Sequence, residues 1–308
     1  KTADVVVENF RPEVKHRLGI NYERLKEINA KIILASISGF GQTGPYAERP
    51  GFDQIAQGMG GLMSITGEPT GGPMRVGIPI ADLTAGLFCA LGVLTALVER
   101  EKSGEGQWLH TSLLQSQAFM LDFQAARWLM TQDVAPQVGN EHPTSVPTNR
   151  YLTKDGAVNI AVAGNETWHR LCDALNKPEW TRNNAYATNA DRAKWRDRLN
   201  GEIGDIICKK TSAEWVEILT EAGVPCGPIY KIDEVFADPQ VQHLGIAQPL
   251  TTVPFGDTHA LGQPVNLERT PSHLAVSPPT RGQHTLEILL EIGIDKEELK
   301  ILKDSSVI

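Results

Sequence analysis

The chain has 308 residues, of which 41% are hydrophobic and 21% are charged. This is the composition of an ordinary globular protein, and it excludes disordered, collagen-like and coiled-coil chains. The length corresponds to roughly two domains of about 150 residues each. The formal net charge of −8 and the lack of a dense basic run argue against a general nucleic-acid-binding protein.

No secretory signal is visible, and the longest apolar run, Leu83 to Val98, is shorter than the ~20 residues that cross a bilayer. The four cysteines are widely spaced and form no C-x-x-C pair, so neither a disulfide framework nor a zinc site is expected. We therefore expect a cytoplasmic protein with no metal and no permanently bound cofactor.

The first 135 residues alternate strand-like and helix-like segments, as in an α/β layer. Val5–Val7 and Lys31–Ser36 are aliphatic and β-branched runs typical of buried parallel strands. Between them, Pro12 in a first turn and Gly19 beyond a last turn predict a helix over residues 12–18. A second helix is predicted over Tyr22–Asn29.

Residues 38–82 are rich in Gly and Pro, and a loop of this length inside a compact domain is usually functional. The elements predicted after it are a buried helix from Leu83, a charged turn at Glu99–Glu105, a strand near Gln107–Thr111 and a long helix over about Leu113–Met130.

A second unit is predicted after a Pro-rich connector that ends near Pro147. Asp155-Gly156 between two apolar runs predicts a hairpin, because this pair favours the positive φ of a tight turn. Thr211 and Glu214 form a capping-box pattern for a helix over residues 212–222. The stretch Pro249–Pro279 is predicted to be a linker, with helices after it over residues 283–292 and 296–302.

The pattern Gly39-x-Gly41-x-x-Gly44 follows a predicted strand and matches the glycine spacing of dinucleotide-binding sites. Such a site needs a helix that begins at the third glycine, so that the pyrophosphate meets the helix N-terminus. Pro45 and Pro50 follow instead. A NAD-dependent dehydrogenase is therefore a disfavoured alternative.

Asp82 lies between the glycine-rich segment and the apolar helix, and two interpretations of it are open. As an N-cap, its carboxylate would satisfy backbone donors of the first turn. As a nucleophile or base, it would be kept ionised by the partial positive charge of the helix end. Position alone favours the cap. Of the scattered histidines, His142 in the connector is the only one kept as a candidate site residue.

Seven stretches carry a resemblance, and they occur in one order along the whole chain. They are residues 3–12 (ADVVVENFRP), 36–46 (SISGFGQTGPY), 82–86 (DLTAG), 100–107 (REKSGEGQ), 155–156 (DG), 223–228 (GVPCGP) and 282–285 (GQHT). Together they resemble the class III CoA-transferases, a family that includes formyl-CoA transferase, carnitine CoA-transferase and an acyl-CoA racemase branch.

The resemblance implies that Asp82 is the nucleophile, which attacks an acyl-CoA to give a mixed anhydride and then an enzyme–CoA thioester. It places CoA contacts on Asn9, Phe10, Arg11, Arg17, Arg49, Pro50, Gly51 and Phe52. Arginine can hold phosphate through two parallel hydrogen bonds, and phenylalanine offers a face to adenine or pantetheine. Gly41, Gln42 and His142 are further candidates for substrate contacts.

The fold implied by the resemblance is α/β: a Rossmann-like large domain with a smaller α+β domain, in an interlocked homodimer. The large domain would comprise residues 1–135 and the C-terminal helices of 281–308. The small domain would be 151–248, between linkers at 136–150 and 249–280. Family members begin with further strand and helix units, so the native protein is expected to be longer than 308 residues.

Departures from the family pattern bear on the reaction. The resemblance implies that racemases of the family use a histidine at the position of Phe52 and an acid near the position of Asn165. Neither phenylalanine nor asparagine can transfer a proton at neutral pH, so racemisation is disfavoured. Residues 143–147, 227–228 and 235–240 resemble succinyl-CoA-dependent transferases that act on dicarboxylates such as glutarate. The alternatives are an α-methylacyl-CoA racemase and a catalytically silent fragment that only holds CoA or a partner chain.

Overall fold

A computed structural model describes residues 2–308 of the chain. They form two compact units, the first ending at Pro228 and the second spanning Ile229–Ile308. The first unit is mixed α/β, as expected, and contains both three-stranded sheets.

The first sheet is parallel and has the order β1 (Val5–Glu8), β2 (Ile33–Ser38) and β3 (Trp108–Ser112). The predicted strands are confirmed, with β2 starting two residues later than expected. Ile33 and Leu34 in the central strand are fully buried, because a middle strand of a parallel sheet is covered on both faces.

Seven helices accompany this sheet in the described residues: α1 (Pro12–Arg17), α2 (Tyr22–Ile28), α3 (Asp53–Met59), α4 (Leu62–Ile65), α5 (Ile80–Ser103), α6 (Leu113–Phe119) and α7 (Phe123–Thr131). The predictions of α1 and α2 are confirmed. The single helix predicted over 113–130 is wrong, since the chain breaks at Asp122, whose φ is 48°. The charged turn predicted at residues 99–105 is also wrong. That segment is mostly the last turn of α5, which ends at Ser103 and is followed by the C-cap Gly104 with φ 75°.

Helix α5 is buried on one face only, although the sequence predicts a buried helix. Its buried side chains are Ala81, Thr84, Ala85, Cys89 and Ala96, and its exposed apolar ones are Leu83, Leu87, Leu91, Leu94 and Val98. Among residues 2–308, α5 alone is long and apolar enough to span a membrane, a test that the core helix of a soluble protein also passes.

The second sheet is antiparallel and has the order β4 (Thr148–Leu152), β5 (Ala157–Ala161) and β6 (Cys226–Pro228). The predicted hairpin is confirmed, but the reason given for its turn is wrong. Neither residue of the Asp-Gly pair has a positive φ. Instead, Thr153 closes a four-residue turn by accepting a hydrogen bond from Gly156 N at its Oγ1, 3.0 Å away.

The helices beside this sheet are α8 (Gly164–Ala174), α9 (Asn189–Lys194), α10 (Arg196–Ile207) and α11 (Ser212–Glu221), with a 3₁₀ turn at Pro178–Arg182. They enclose the largest core cluster of the described residues, in which Trp168, Leu199 and Leu219 are fully buried. The capping box that starts α11 is confirmed, because Thr211 Oγ1 accepts from Glu214 N and Glu214 Oε2 accepts from Thr211 N.

The second unit contains α12 (Ile232–Ala237), α13 (Pro239–Leu244), β7 (Ala247–Thr252), β8 (Gly256–Leu261), α14 (Thr285–Glu291) and α15 (Lys296–Asp304). Here β7 and β8 form an antiparallel hairpin that begins at Ala247 and occupies the first part of the predicted linker, so the prediction of a linker is wrong there. The signal was obscured by Pro249, which a strand at a sheet edge tolerates because its missing N–H is not needed there. The two predicted C-terminal helices are confirmed.

Candidate active site

Asp82 lies in the first turn of α5 but is not its N-cap. The helix begins at Ile80, so the N-cap position belongs to Pro79, which makes no side-chain capping bond. Asp82 is the third helical residue and is exposed. The capping interpretation of Asp82 is therefore wrong, and its carboxylate is left available to a ligand at the end of the helix that favours negative charge.

A second carboxylate, Asp53, performs the capping role from another helix. Asp53 Oδ1 accepts a hydrogen bond from Ala81 N at 2.8 Å, and Asp53 Oδ2 accepts from Gln57 Nε2 at 2.7 Å. Asp53 is the first residue of α3 and is nearly buried. Sequence reasoning missed it, and the available signal was an acidic residue directly after Phe52 in the candidate loop.

Gln57 extends this network to the segment that leads into α5. It is fully buried, and its Oε1 accepts from Val76 N at 2.9 Å while its Nε2 also donates to the Ile78 carbonyl oxygen at 3.3 Å. Both bonds are to backbone groups of an irregular stretch. Because α3 thus holds residues 76–81 at three points, it fixes the start of α5 and with it the position of Asp82.

The pKa of the Asp82 carboxyl is raised above its ordinary value. Although the side chain is exposed, partial desolvation of the carboxyl by its surroundings is the main cause, and repulsion from the nearby Asp53 carboxylate adds to it. The sequence favoured the opposite direction, because the partial charge of the helix end stabilises an ionised carboxylate. A raised pKa makes the Asp82 carboxylate a stronger base and a better nucleophile than an ordinary exposed aspartate.

Two candidate loops meet at a glycine–glycine contact. A Cβ added to Gly39 would lie 2.8 Å from the Gly51 Cα, so both positions require glycine for the backbones to approach. This contact places the Gly41–Gln42 segment beside the Arg49–Phe52 loop. The chain after Gly44 remains irregular until α3, so the helix that a dinucleotide fingerprint needs does not follow the glycines.

The turn after β1 is joined to the same glycine-rich loop. Glu8 Oε2 accepts a hydrogen bond from Phe10 N at 2.8 Å, and Glu8 Oε1 lies 3.9 Å from Lys15 Nζ. Lys15 in turn donates to Gln42 Oε1. Sequence reasoning missed Lys15, because the largely polar sequence of α1 indicates an exposed lysine at this position.

The side chains that are candidates for contacts with CoA are largely exposed. Phe10 is 42% and Phe52 78% exposed, and Arg17 projects from the last turn of α1. Arg11 forms a 3.3 Å ion pair with Glu13. The Arg49 guanidinium carbon lies 3.8 Å from the centre of the Tyr46 ring, a cation–π contact that holds its planar group in place.

His142 lies apart from this network. Its Nδ1 accepts hydrogen bonds from Ser145 N at 3.0 Å and Thr144 N at 3.2 Å, and its ring stacks on Phe123. Among residues 2–308, its hydrogen bonds and ring contacts include none to the residues around Asp82. Its interactions order the connector before β4, and the structure does not bring it together with the other candidates.

Comparison with known proteins adds a family to this geometry. A family model described as CoA-transferase family III matches residues 1–285. The succinate–glutarate CoA-transferase of Agrobacterium fabrum is 36% identical over 95% of this chain and 73% of that protein. The succinyl-CoA:glutarate CoA-transferase of Homo sapiens is 35% identical over 94% of this chain and 66% of that protein.

A solved structure of a CAIB/BAIF family protein from Brucella suis has the same fold. Its TM-score to this chain is 0.81 at 33% identity, and the match covers 94% of this chain and 75% of that one. The chain thus spans about two thirds to three quarters of the length of these relatives.

Proposed function

We propose, from the premise that this chain belongs to CoA-transferase family III and is a CoA-transferase, that Asp82 carries CoA between an acyl-CoA and a carboxylic acid. The observation that carries the proposal is Asp82 itself, exposed at the start of α5 with a raised pKa and anchored through Asp53. A carboxylate nucleophile divides one difficult exchange into easier steps.

In the first half of the reaction, the Asp82 carboxylate attacks the thioester carbonyl carbon and expels CoA as a thiolate, which gives a mixed anhydride. The thiolate then attacks the Asp82 carbonyl carbon of that anhydride. The donor acid leaves as a carboxylate, and Asp82 holds CoA as a thioester.

In the second half, the acceptor carboxylate attacks the Asp82 thioester, expels CoA thiolate and forms a new anhydride. The thiolate attacks the acceptor's carbonyl carbon, which releases the new acyl-CoA and restores the Asp82 carboxylate. Negative charge develops on the carbonyl oxygen in every step. Backbone N–H groups of the first turn of α5 and of the glycine-rich loop are donors suited to that charge.

CoA would be held by the turn of Asn9, Phe10 and Arg11, by Arg17 and by the Arg49–Phe52 loop. The three arginines supply positive charge for the phosphates in a chain whose net charge is −8. Binding of the remote nucleotide supplies energy that can be used at the thioester. Phe10 and Phe52 are exposed enough to stack on adenine or to cover pantetheine.

Succinyl-CoA is the proposed donor and a short dicarboxylate such as glutarate the proposed acceptor. The name of the Homo sapiens relative states succinyl-CoA and glutarate, and that of the Agrobacterium fabrum relative states succinate and glutarate. A panel of donors and acceptors tests this, with acyl-CoA products measured by chromatography. Transfer from succinyl-CoA to glutarate is expected. Solvent deuterium entering a 2-methylacyl-CoA at its α-carbon, without transfer, would indicate the racemase instead.

The proposal extends to the assembly. We infer a cytoplasmic, interlocked homodimer in which residues 1–135 and 281–308 form a Rossmann-like large domain and residues 151–248 the small domain. The parallel order of β1, β2 and β3 and the separate antiparallel sheet of β4, β5 and β6 support the separation of residues 1–135 from the part of the proposed small domain that ends at Pro228.

The covalent step is tested directly by intact-protein mass spectrometry after incubation with succinyl-CoA. A CoA adduct that maps to the Asp82 peptide is expected, and hydroxylamine should remove it as it does other thioesters. An adduct on a cysteine, or none while transfer proceeds, would refute the aspartyl intermediate.

A further inference from the structure

Lys15 is the one residue of α1 with a buried side chain, and only 2% of it is exposed. Burying an ammonium group is unfavourable unless the group is paired and hydrogen-bonded. A methionine or leucine would fill similar space without that cost. The position therefore uses the charge of Lys15, not only its hydrocarbon stem.

The partners of Lys15 come from the end of β1, the start of α1 and the glycine-rich loop. Its Nζ donates to Gln42 Oε1 and to the Pro12 carbonyl oxygen at 3.3 Å, and it lies 3.9 Å from Glu8 Oε1. The Trp108 ring covers it, with the ring centroid 5.5 Å away. The ammonium thus connects the end of β1 to Gln42, a loop residue 27 positions after Lys15.

Each end of this connection holds an irregular segment. Glu8 fixes the next turn through its bond from Phe10 N. Gln42 follows Gly41, whose φ of 111° is open to glycine and strained for other residues. The Gln42 Nε2 atom is buried and has no hydrogen-bond partner in the described residues. Lys15 is therefore the only hydrogen-bonding anchor that residues 2–308 provide for the Gln42 side chain.

We propose that Lys15 is a positioning residue that holds the turn at residues 9–11 and the glycine-rich loop in one arrangement before acyl-CoA binds. This inference rests on the proposed function, because it takes that turn as part of the CoA site. Preorganisation lowers the conformational entropy lost on binding. Lys15 therefore acts on the affinity for acyl-CoA and leaves the chemical step at Asp82 nearly unchanged.

The test uses Lys15→Met, which keeps the length of the side chain and removes its charge. The KM for acyl-CoA and the Kd for CoA, measured by calorimetry, should both rise about tenfold, with kcat within about twofold of the parent. Lys26→Met, at an exposed lysine on the neighbouring helix α2, is the matched control and should change none of these values.

Gln42→Leu removes the other partner and should raise KM by a similar factor. Because the two residues act through one bond, the KM of the double variant should be no higher than that of the single variant with the higher KM. If Lys15→Met does not fold, Gln42→Leu carries the test. A residue with a structural role alone would lower the melting temperature in both variants and leave KM and Kd unchanged, and that result overturns the proposal.

The controls separate this inference from the proposed function. If the parent protein neither binds CoA nor transfers it, the proposed function fails and the inference fails with it. If the parent binds and transfers CoA while folded Lys15→Met and Gln42→Leu bind it equally well, only the positioning role of Lys15 is overturned.

Discussion

Asp82 has its place and its acidity set by neighbours distant in sequence. Asp53 binds the backbone just before Asp82, and the Asp53 charge adds to partial desolvation in raising the pKa of Asp82. The same repulsion would be relieved when Asp82 becomes a neutral acyl group in the anhydride. In the proposed mechanism, the pair would therefore serve both the geometry and the reactivity of Asp82.

Replacing the nucleophile should abolish transfer. Asp82→Asn and Asp82→Ala are expected to lower kcat by at least about 10³-fold, because neither side chain can form the anhydride. CoA binding, measured by calorimetry, should survive. Asp205→Asn, at an exposed aspartate of α10, is the control with unchanged kcat. Full activity in either Asp82 variant would refute the assignment.

The pH dependence of the reaction tests the role of Asp53. Activity needs ionised Asp82, so kcat/KM should fall as the pH drops through the Asp82 pKa, at a higher pH than for an ordinary aspartate. Asp53→Asn keeps an oxygen for Ala81 N but removes the repelling charge, so the acidic limb should move to lower pH. A limb that stays in place or moves upward would contradict this account.

Among the structural elements, the glycine-rich loop and the Arg49–Phe52 loop are packed with their backbones in close contact. Gly39→Ala would place a Cβ 2.8 Å from the Gly51 Cα, and neither backbone can yield cheaply. We expect a loss of about 1–3 kcal/mol in the free energy of unfolding, measured by denaturant titration.

Gly201→Ala is the matched control for this substitution. Gly201 lies inside α10 with no atom within 4 Å of an added Cβ, so alanine there should be neutral or stabilise by about 0.5–1 kcal/mol. Equal stability of the Gly39 and Gly201 variants would show that the loop contact is not tight.

At the scale of the whole molecule, the proposed homodimer predicts a definite mass. Sedimentation equilibrium should give twice the 33.7 kDa of one chain, at concentrations where the protein is active. Because interlocked chains cannot separate without unfolding, neither the mass nor the specific activity should fall on dilution. A fully active species with the mass of a single chain would contradict the dimer.

The sequence by itself determined the elements whose signals are local. The β-branched and aliphatic runs of β1 and β2, and the reciprocal Thr211 and Glu214 of α11, depend on neighbours a few positions away. They occur where predicted. The sequence also placed Asp82 at a helix start, and the ordered set of weak motifs indicated the family that the comparisons confirm.

Only the tertiary structure decided how the candidate residues meet. The Asp53–Ala81 and Lys15–Gln42 bonds join positions 28 and 27 residues apart, and no local pattern encodes such a pairing. Tertiary contacts also decided that α5 is buried on one face and that, within the described part of the chain, His142 has no hydrogen bond or ring contact to the residues around Asp82. Local propensity specifies elements, whereas burial and long-range hydrogen bonds depend on how the elements pack.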